Sequence, residues 1–308
     1  MSDMSFDVPD DLFDAYVEVG WMKEPFDQTG SLPMSSAIRG TFVRWHNPSY
    51  FWSGSDFWKT FQDGPWKWED QQRFAGSHLN CGHYFAIEQA GAEAEACFYG
   101  LDTQKTALLE IRAEFVNILD LTYEDHLVEV AKNVITNLDE ITLMRILSAF
   151  VSPERGGNKI TDFIGCWARQ QGYEGILFFG ARAFESDSEL CSQIDDGRDD
   201  SMMGPIVHGC FYRMRRQPEL KNLVLFSGAG LTTRIQSYRL GAGEMVENQF
   251  YRASDTDLDR LLEYNSEYQQ ERSRIIMMKY DEPKSYIVPT RQSQQGTAHN
   301  LNAVGSQK

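Results

Sequence analysis

Four side chains in the first third of the sequence have the types and spacing to form a binding or catalytic site: Arg44, Arg73, Tyr84 and Glu95. A guanidinium group binds phosphate oxygens through its planar fork. A carboxylate stabilises positive charge in a transition state, and an aromatic ring covers a planar ligand group. Taken singly, such residues are more often surface ion pairs, solvated helix residues or core aromatics. Their spacing alone therefore names no reaction.

The usual catalytic and cofactor-binding motifs are absent from the sequence. There is no GxSxG, HExxH or P-loop, and no GxGxxG follows a strand. Residues 228–244 are rich in Gly but fit no phosphate-binding loop, so we interpret them as turns. The closest histidine pair, His78 and His83, lacks further ligands at metal spacing, and no metal site is expected.

The elements that must position the four side chains are short strands mixed with helices. Strands are predicted at 41–45, 83–87, 107–121 (one or two strands around a turn), 175–179, 223–226 and 231–240. Helices are predicted at 9–20, 90–99, 124–149, 160–171 and 256–280. Because regular βαβ alternation is missing, the pattern predicts an α+β fold.

Seven pieces of the chain, in order, resemble the RES domain. The family has an early strand with an Arg, an Arg-Phe pair, a strand of the form Leu-Tyr-Leu-Ala and a helix ending in Ala-Glu. Then come a strand similar to Asn-Ile-Leu-Asp-Leu-Thr, a Gly-Tyr-Asp-Gly-Ile segment with a Ser-Ala-Arg-like turn, and Asn-Leu-Val-Leu-Phe. The matching stretches are 42–46, 73–74, 84–86, 94–95, 117–122, 172–182 and 222–226. No single piece is specific to the family, and the resemblance rests on the shared order of the seven pieces over residues 40–228.

The resemblance implies an enzyme that cleaves NAD+ between the nicotinamide nitrogen and ribose C1′. Nicotinamide leaves as a neutral molecule, so no general acid is needed, and the transition state resembles an oxocarbenium ion. The family is named for an Arg, a Glu and a Ser. The first two correspond to Arg44 and Glu95, the implied catalytic residues, with Glu93 a close rival of Glu95.

The remaining implied site residues would bind the substrate. Arg73 joins Arg44 as a pyrophosphate ligand, and Arg182 is structural or phosphate-binding. Tyr84 forms an aromatic wall, with Tyr50 or Trp45 as alternatives. The third family residue is missing, because Gly180 occupies the serine position and offers only its backbone N–H or room for a water. This departure keeps a second hypothesis open, a catalytically silent protein that binds NAD+ or a partner.

Resemblance also implies a toxin paired with a cognate antitoxin, with water, phosphate or a protein as the ADP-ribose acceptor. The net charge of −16 disfavours nucleic acids and anionic membranes and is compatible with a basic partner. The five Cys form no CxxC pair, which indicates reduced thiols. The N-terminus lacks signal-peptide features. We therefore expect a soluble, cytoplasmic protein; an exported effector is a third hypothesis.

The predicted organisation follows from these boundaries. Residues 1–39 form an N-terminal extension, 40–228 the RES-like NAD+-binding catalytic domain, and 229–280 a C-terminal addition packed on the domain. Residues 281–308 contain few large apolar groups and are expected to be a disordered tail. The resemblance implies that the domain is an ADP-ribosyltransferase-like split mixed β-sheet flanked by helices.

Overall fold

The computed structural model describes residues 35–46, 74, 76–77, 80–98, 106–134, 159–180, 211, 214–255 and 257–266. The chain divides into two compact units, Met1–Asn265 and Ser266–Lys308. The strands are β1 Ser35–His46, β2 Gly76–Ser77, β3 Asn80–Ala86, β4 Ala107–Asp120, β5 Gly175–Phe179, β6 Lys221–Phe226, β7 Ile235–Leu240 and β8 Val246–Glu247. The helices are α1 Gln89–Phe98, α2 Glu124–Val134, α3 Lys159–Gln170, α4 Ala229–Arg234 and α5 258–266, with a 3₁₀ turn at Pro218–Leu220.

The strands form a mixed eight-stranded sheet in the order β1-β3-β6-β5-β4-β7-β8, with β2 added beside β3. Strands β4 and β5 are parallel, and the other pairs are antiparallel. Because β1 pairs with both β3 and β4, the path from β1 through β3, β6, β5 and β4 returns to β1. These five strands therefore close on themselves.

Strand β4 is the centre of this arrangement. Strand β1 follows one of its edges, from His46 opposite Ala107 to Ser35 opposite Leu119. The other edge is divided between two partners. Strand β7 pairs with residues 109–113, and β5 pairs with residues 118–120. The sheet consequently divides along this edge.

Apolar side chains from the closed strands, joined by one residue of α4 and one of β7, form the main core. Alternate strand residues point to the same face, and most of the inward ones here are large. The members are Phe42, Phe85, Leu109, Ile111, Ala113, Phe115, Ile118, Leu177, Leu223, Leu225, Leu231 and Ile235. The rings of Phe42 and Phe115 lie 5.9 Å apart. Each fully buried Leu, Ile or Phe contributes about 1.5–3 kcal/mol, so this core fixes how the strands register.

The α+β class with a mixed sheet is confirmed, and several elements match the predictions. Helix α1, strands β5 and β6, and the end of α3 at Gln170 lie within a few residues of the predicted positions. Gly172 has φ +84°, the left-handed conformation that ends helices. Helix formation at 124–134 and 258–266 agrees with the longer predicted helices. The predicted helix at 9–20 and the predicted tail at 281–308 lie outside the described residues.

Residues 107–120 form one continuous strand, the first of the two predicted alternatives, because β1 pairs along its whole length. Two features differ from the sequence prediction. Residues 231–234 are helical rather than extended. This turn brings Leu231 and Ile235 into the same core, and Nδ2 of Asn248 donates to the carbonyls of Thr232 and Ile235 at its end. Within 228–244, only the short segment at Gly241, φ +60°, is the expected kind of turn.

The sheet also continues across two of the predicted domain boundaries. Strand β1 begins at Ser35, before the boundary at residue 39, and its first residues pair with β4. Strand β7 lies beyond residue 228 and pairs with β4 as well. None of the helices in the described ranges is long and apolar enough to cross a membrane.

Candidate functional site

Helix α1 presents Glu95 to the sheet. Gly91 and Ala92, one turn earlier, face the strands, and Ala92 packs on Val43 and Ala86. Residues three and four apart share a helix face, so Glu95 points the same way. Nδ2 of Asn222 on β6 donates to Oε1 of Glu95 over 3.0 Å. The carboxylate is therefore held against the sheet, half-buried.

The structure separates Glu95 from its rival Glu93. Glu93 is exposed, and its Oε1 accepts a hydrogen bond of 2.8 Å from Nε2 of Gln89, one turn earlier on the same helix. This is an ordinary pair on a solvated helix face. Glu93 therefore lies outside the site that Glu95 belongs to.

Gly180 lies directly beside the Glu95–Asn222 hydrogen bond. Its backbone N donates to the carbonyl of Leu220 over 2.9 Å, which fixes the chain just after β5. A Cβ atom at this position would lie 2.7 Å from both Nδ2 of Asn222 and Oε1 of Glu95. Such distances are shorter than van der Waals contact. The structure thus brings together Gly180 and Glu95, which lie far apart in the sequence.

An aromatic group lies on the same face of the sheet. Phe178 pairs with Asn222 across β5 and β6, and Tyr84 lies two residues before Ala86, the partner of Asn222 on β3. The rings of Tyr84 and Phe178 are 5.9 Å apart in an edge-to-face arrangement. Phe74 packs 4.7 Å from Phe178, and its backbone N donates to the Tyr84 hydroxyl over 2.6 Å.

Arg44 lies on the opposite face of the sheet from Glu95. Val43 pairs with Ala86, and Ala86 pairs with Asn222, so these three side chains share one face. Because successive strand residues point to opposite faces, Arg44 points to the other face of the sheet. There its guanidinium lies 5.8 Å from the ring centre of Phe85 and its Nη1 lies 3.5 Å from Nδ1 of His83. Burial lowers the pKa of Arg44 to about 10.

The other predicted site residues are only partly covered by the structure. Tyr50, Arg73 and Arg182 lie outside the described residues. Trp45, the alternative aromatic, is half-buried and packs on the cluster of Val43, Ala86 and Ala92. Trp45 therefore lies on the face of the sheet that Glu95 approaches. Its indole Nε1 is buried and has no acceptor within the described part of the chain.

Sequence reasoning gave no role to two neighbouring residues at the start of β6. Asn222 was one letter of the Asn-Leu-Val-Leu-Phe motif, and Lys221 received no role. Instead, burial lowers the pKa of Lys221, while Asp120 raises it and Arg215 lowers it. The guanidinium of Arg215 stacks 4.4 Å above the Tyr123 ring. A polar residue in an otherwise apolar strand was the available signal for Asn222.

A separate cleft of about 500 Å³ lies around Glu114 and is lined by charged residues. The buried Glu114 accepts hydrogen bonds from the Tyr251 hydroxyl at 2.7 Å and Nε2 of Gln236 at 3.3 Å. Arg39 bridges Glu114 and Asp259. Because these charges already have partners, the cleft has the character of a structural tie between β4 and the residues after β8.

Chemically, the arrangement around Glu95 offers a held carboxylate beside aromatic rings. No group of side chains suited to a metal ion occurs in the described ranges. No protein-family model matches this sequence, and no curated protein matches it.

Proposed function

We propose that this protein cleaves the bond between the nicotinamide nitrogen and ribose C1′ of NAD+, on an ADP-ribosyltransferase-like fold. The observation that best supports this is the Glu95 carboxylate, held by Asn222 on the sheet face that carries Tyr84 and Phe178. The seven ordered sequence pieces point to the same substrate. The division of the β4 edge between β5 and β7 agrees with a split sheet.

The chemistry needs little more than this site offers. As the C1′–N bond breaks, its electron pair leaves with nicotinamide, and positive charge develops on the ribose. The Glu95 carboxylate stabilises that charge and holds the ribose hydroxyls. With water as acceptor, the water oxygen bonds to C1′ and releases one proton, so the products are ADP-ribose, nicotinamide and a proton. Phosphate or a protein side chain can replace water.

The proposed binding roles rest on the ring contacts near Glu95 and, for residues outside the described ranges, on the sequence resemblance. Tyr84, backed by the buried ring of Phe178, is the proposed wall for the nicotinamide ring. Arg73 and Arg182 are the proposed pyrophosphate ligands. Arg44 faces the opposite side of the sheet, so we assign it no contact with the ribose. In the cell, the protein acts as a cytoplasmic toxin, and a basic antitoxin that covers the site complements its net charge of −16.

A second candidate, silent binding, is favoured by one observation. The Glu95 carboxylate already accepts a hydrogen bond from Asn222, and Gly180 supplies no hydroxyl beside it. A site of this kind binds NAD+ through the same aromatic wall and carboxylate without turning it over. Binding without nicotinamide release distinguishes it from the enzyme.

The test is nicotinamide release from NAD+ by the purified full-length chain, with and without phosphate, and with cell lysate as a source of protein acceptors. Glu95→Gln keeps the shape of the side chain but removes its charge. We expect it to lower kcat by about 10²–10³-fold, as for loss of one charge-stabilising group. The matched control is Glu93→Gln, on the exposed face of the same helix, which should leave release unchanged.

One outcome contradicts the enzyme, and a second contradicts the assignment of Glu95. Absence of release by the unmodified chain under all three acceptor conditions overturns it, and NAD+ binding detected by calorimetry then establishes the silent candidate. Equal losses in the Glu95 and Glu93 variants, with both folded by circular dichroism, place the chemistry elsewhere. Dependence of release on phosphate identifies the acceptor.

A further inference from the structure

Asn222 is a buried amide within an apolar strand. It is 9% exposed and pairs with Ala86 on one side and Phe178 on the other. Buried amide groups are nearly always hydrogen-bonded, because an unsatisfied one costs about 1–3 kcal/mol. Here Nδ2 donates to Oε1 of Glu95. The strand fixes the amide from both sides, so the direction of this bond is set by the sheet.

Helix α1, which carries Glu95, packs closely against the 3₁₀ turn and β3. A Cβ atom on Gly91 would lie 2.5 Å from the carbonyl oxygen of Glu219 and 3.3 Å from Cβ of Ala86. Only glycine lets α1 approach the 3₁₀ turn and β3 this closely. Both ends of the Glu95–Asn222 hydrogen bond are therefore attached to rigid elements.

The chain at Gly180 leaves just enough space for this pair. A Cβ atom there would also lie 3.3 Å from Cγ of Asn222, in addition to its two contacts of 2.7 Å. The backbone at Gly180 is held by Leu220, so it cannot easily withdraw. A side chain at position 180 and the observed Glu95–Asn222 geometry exclude each other.

We propose that Asn222 is a positioning residue that orients the Glu95 carboxylate, and that position 180 must lack a side chain for this pair to form. The role of Asn222 in turnover rests on the proposed function. The mutual exclusion of position 180 and the pair does not. Asn222 acts through Glu95 and makes no contact with substrate.

The test is a double-mutant cycle of Gly180→Ser, Asn222→Ala and their combination, in the full-length chain. Asn222→Ala should lower kcat for nicotinamide release by about 10–100-fold with KM within about twofold, because the ground-state contacts persist. Gly180→Ser should lower kcat by at least about 10-fold, because it displaces the carboxylate. In the double variant the freed space accepts the serine, whose hydroxyl can donate to Glu95, so its loss should be smaller than the product of the single losses.

The matched control is Gly230→Ala, a helical glycine whose Cβ would meet nothing within 4 Å, which should leave kcat and KM unchanged. Multiplicative losses of kcat in the cycle, or a loss confined to KM, overturn the positioning role.

A second readout does not depend on turnover. In urea unfolding, Gly180→Ser should lower the midpoint clearly when Asn222 is present and much less when residue 222 is Ala. Equal midpoint shifts in the two backgrounds overturn the exclusion, whether or not NAD+ is cleaved. If the unmodified chain releases no nicotinamide while the midpoints couple, the proposed function fails and the structural pair stands.

Discussion

The Nη1 atom of Arg44 lies 3.5 Å from the Nδ1 atom of His83, and no carboxylate in the described part of the chain pairs with this guanidinium. Burial lowers its pKa to about 10, and no charged side chain within the described ranges contributes to the shift. A partly buried cation whose described neighbours include an imidazole and the ring of Phe85 loses part of its hydration at this position, and this loss costs stability. Its presence is therefore a stability cost that packing alone does not explain.

Arg44→Met should leave the protein equally stable or raise its free energy of unfolding by about 1 kcal/mol, because an apolar side chain of similar length avoids the desolvation. Urea unfolding at neutral pH measures this. A loss of more than about 1 kcal/mol would show that the guanidinium contributes net binding energy to the fold. Arg112→Met, an exposed residue on β4, is the matched control and should change stability by less than about 0.5 kcal/mol.

Tyr173 gives a prediction for alkaline pH. It is 6% exposed and packs 6.2 Å from Trp167, and burial raises its pKa to about 12 from an ordinary value of 10. Because the folded-state pKa lies above the unfolded one, the stability from the neutral phenol is complete below pH 10 and is lost between about pH 10 and 12. Tyr173→Phe should flatten this decline.

The comparison of the unmodified chain with Tyr173→Phe isolates the phenol. Arg44, whose pKa is lowered, changes stability in the opposite direction over the same pH range, but it does so equally in both proteins. Unfolding midpoints at pH 8, 10 and 11 provide the comparison. Parallel curves for the two proteins would contradict the prediction.

Gly91→Ala should destabilise the fold by about 1–3 kcal/mol, the usual range for an added group in a filled space. The new Cβ would lie 2.5 Å from the backbone oxygen of Glu219, and backbone cannot turn away as a side chain does. Since α1 must shift, Glu95 moves with it, and nicotinamide release should fall as well. Gly230→Ala provides the control, where higher helix propensity should maintain or increase stability. An increase in stability for Gly91→Ala would disprove the close approach.

Glu174 ties three elements together, and Glu174→Gln tests this tie. Its Oε2 accepts from the backbone N of Val116 and Asn117, at 2.8 and 3.0 Å, and its Oε1 accepts from Nε of Arg234 at 2.7 Å. In the glutamine variant the charge is gone, and the amide NH₂ faces either the two backbone N–H groups or the Arg234 guanidinium. We therefore expect the free energy of unfolding to fall by about 2–3 kcal/mol. Glu129→Gln weakens the surface ion pair with Lys132 and should cost less than about 0.5 kcal/mol. Similar losses in both would contradict a specific role for Glu174.

The fold class was predictable because the apolar segments that form β5 and β6 are short, continuous and bounded by turn residues. Which of Glu93 and Glu95 faces the sheet was not predictable from the sequence. Both lie on one alanine-rich helix, and the face it buries is set by the close approach at Gly91, a contact with Glu219 far along the chain.

The orientation of Arg44 could not be predicted from the sequence either. A strand residue faces one side or the other according to its register, and that register is fixed by the pairing of Val43 with Ala86 on β3 and of Arg44 with Leu109 on β4. The helix at 231–234 was missed for a similar reason. Its residues have mixed propensity, and the core contact of Leu231 and the bonds from Asn248 decide the conformation.

The divided edge of β4 also has a consequence for how the chain folds. Strand β4 is synthesised in the first half of the chain. Its pairing is complete only after β7, residues 235–240, has been synthesised much later. Such sequence-distant pairing gives a high contact order, and folding on the scale of milliseconds to seconds is typical of it. Until then, β4 exposes backbone donors and acceptors that invite association with other chains. A gene fragment ending at residue 228 should therefore aggregate during synthesis.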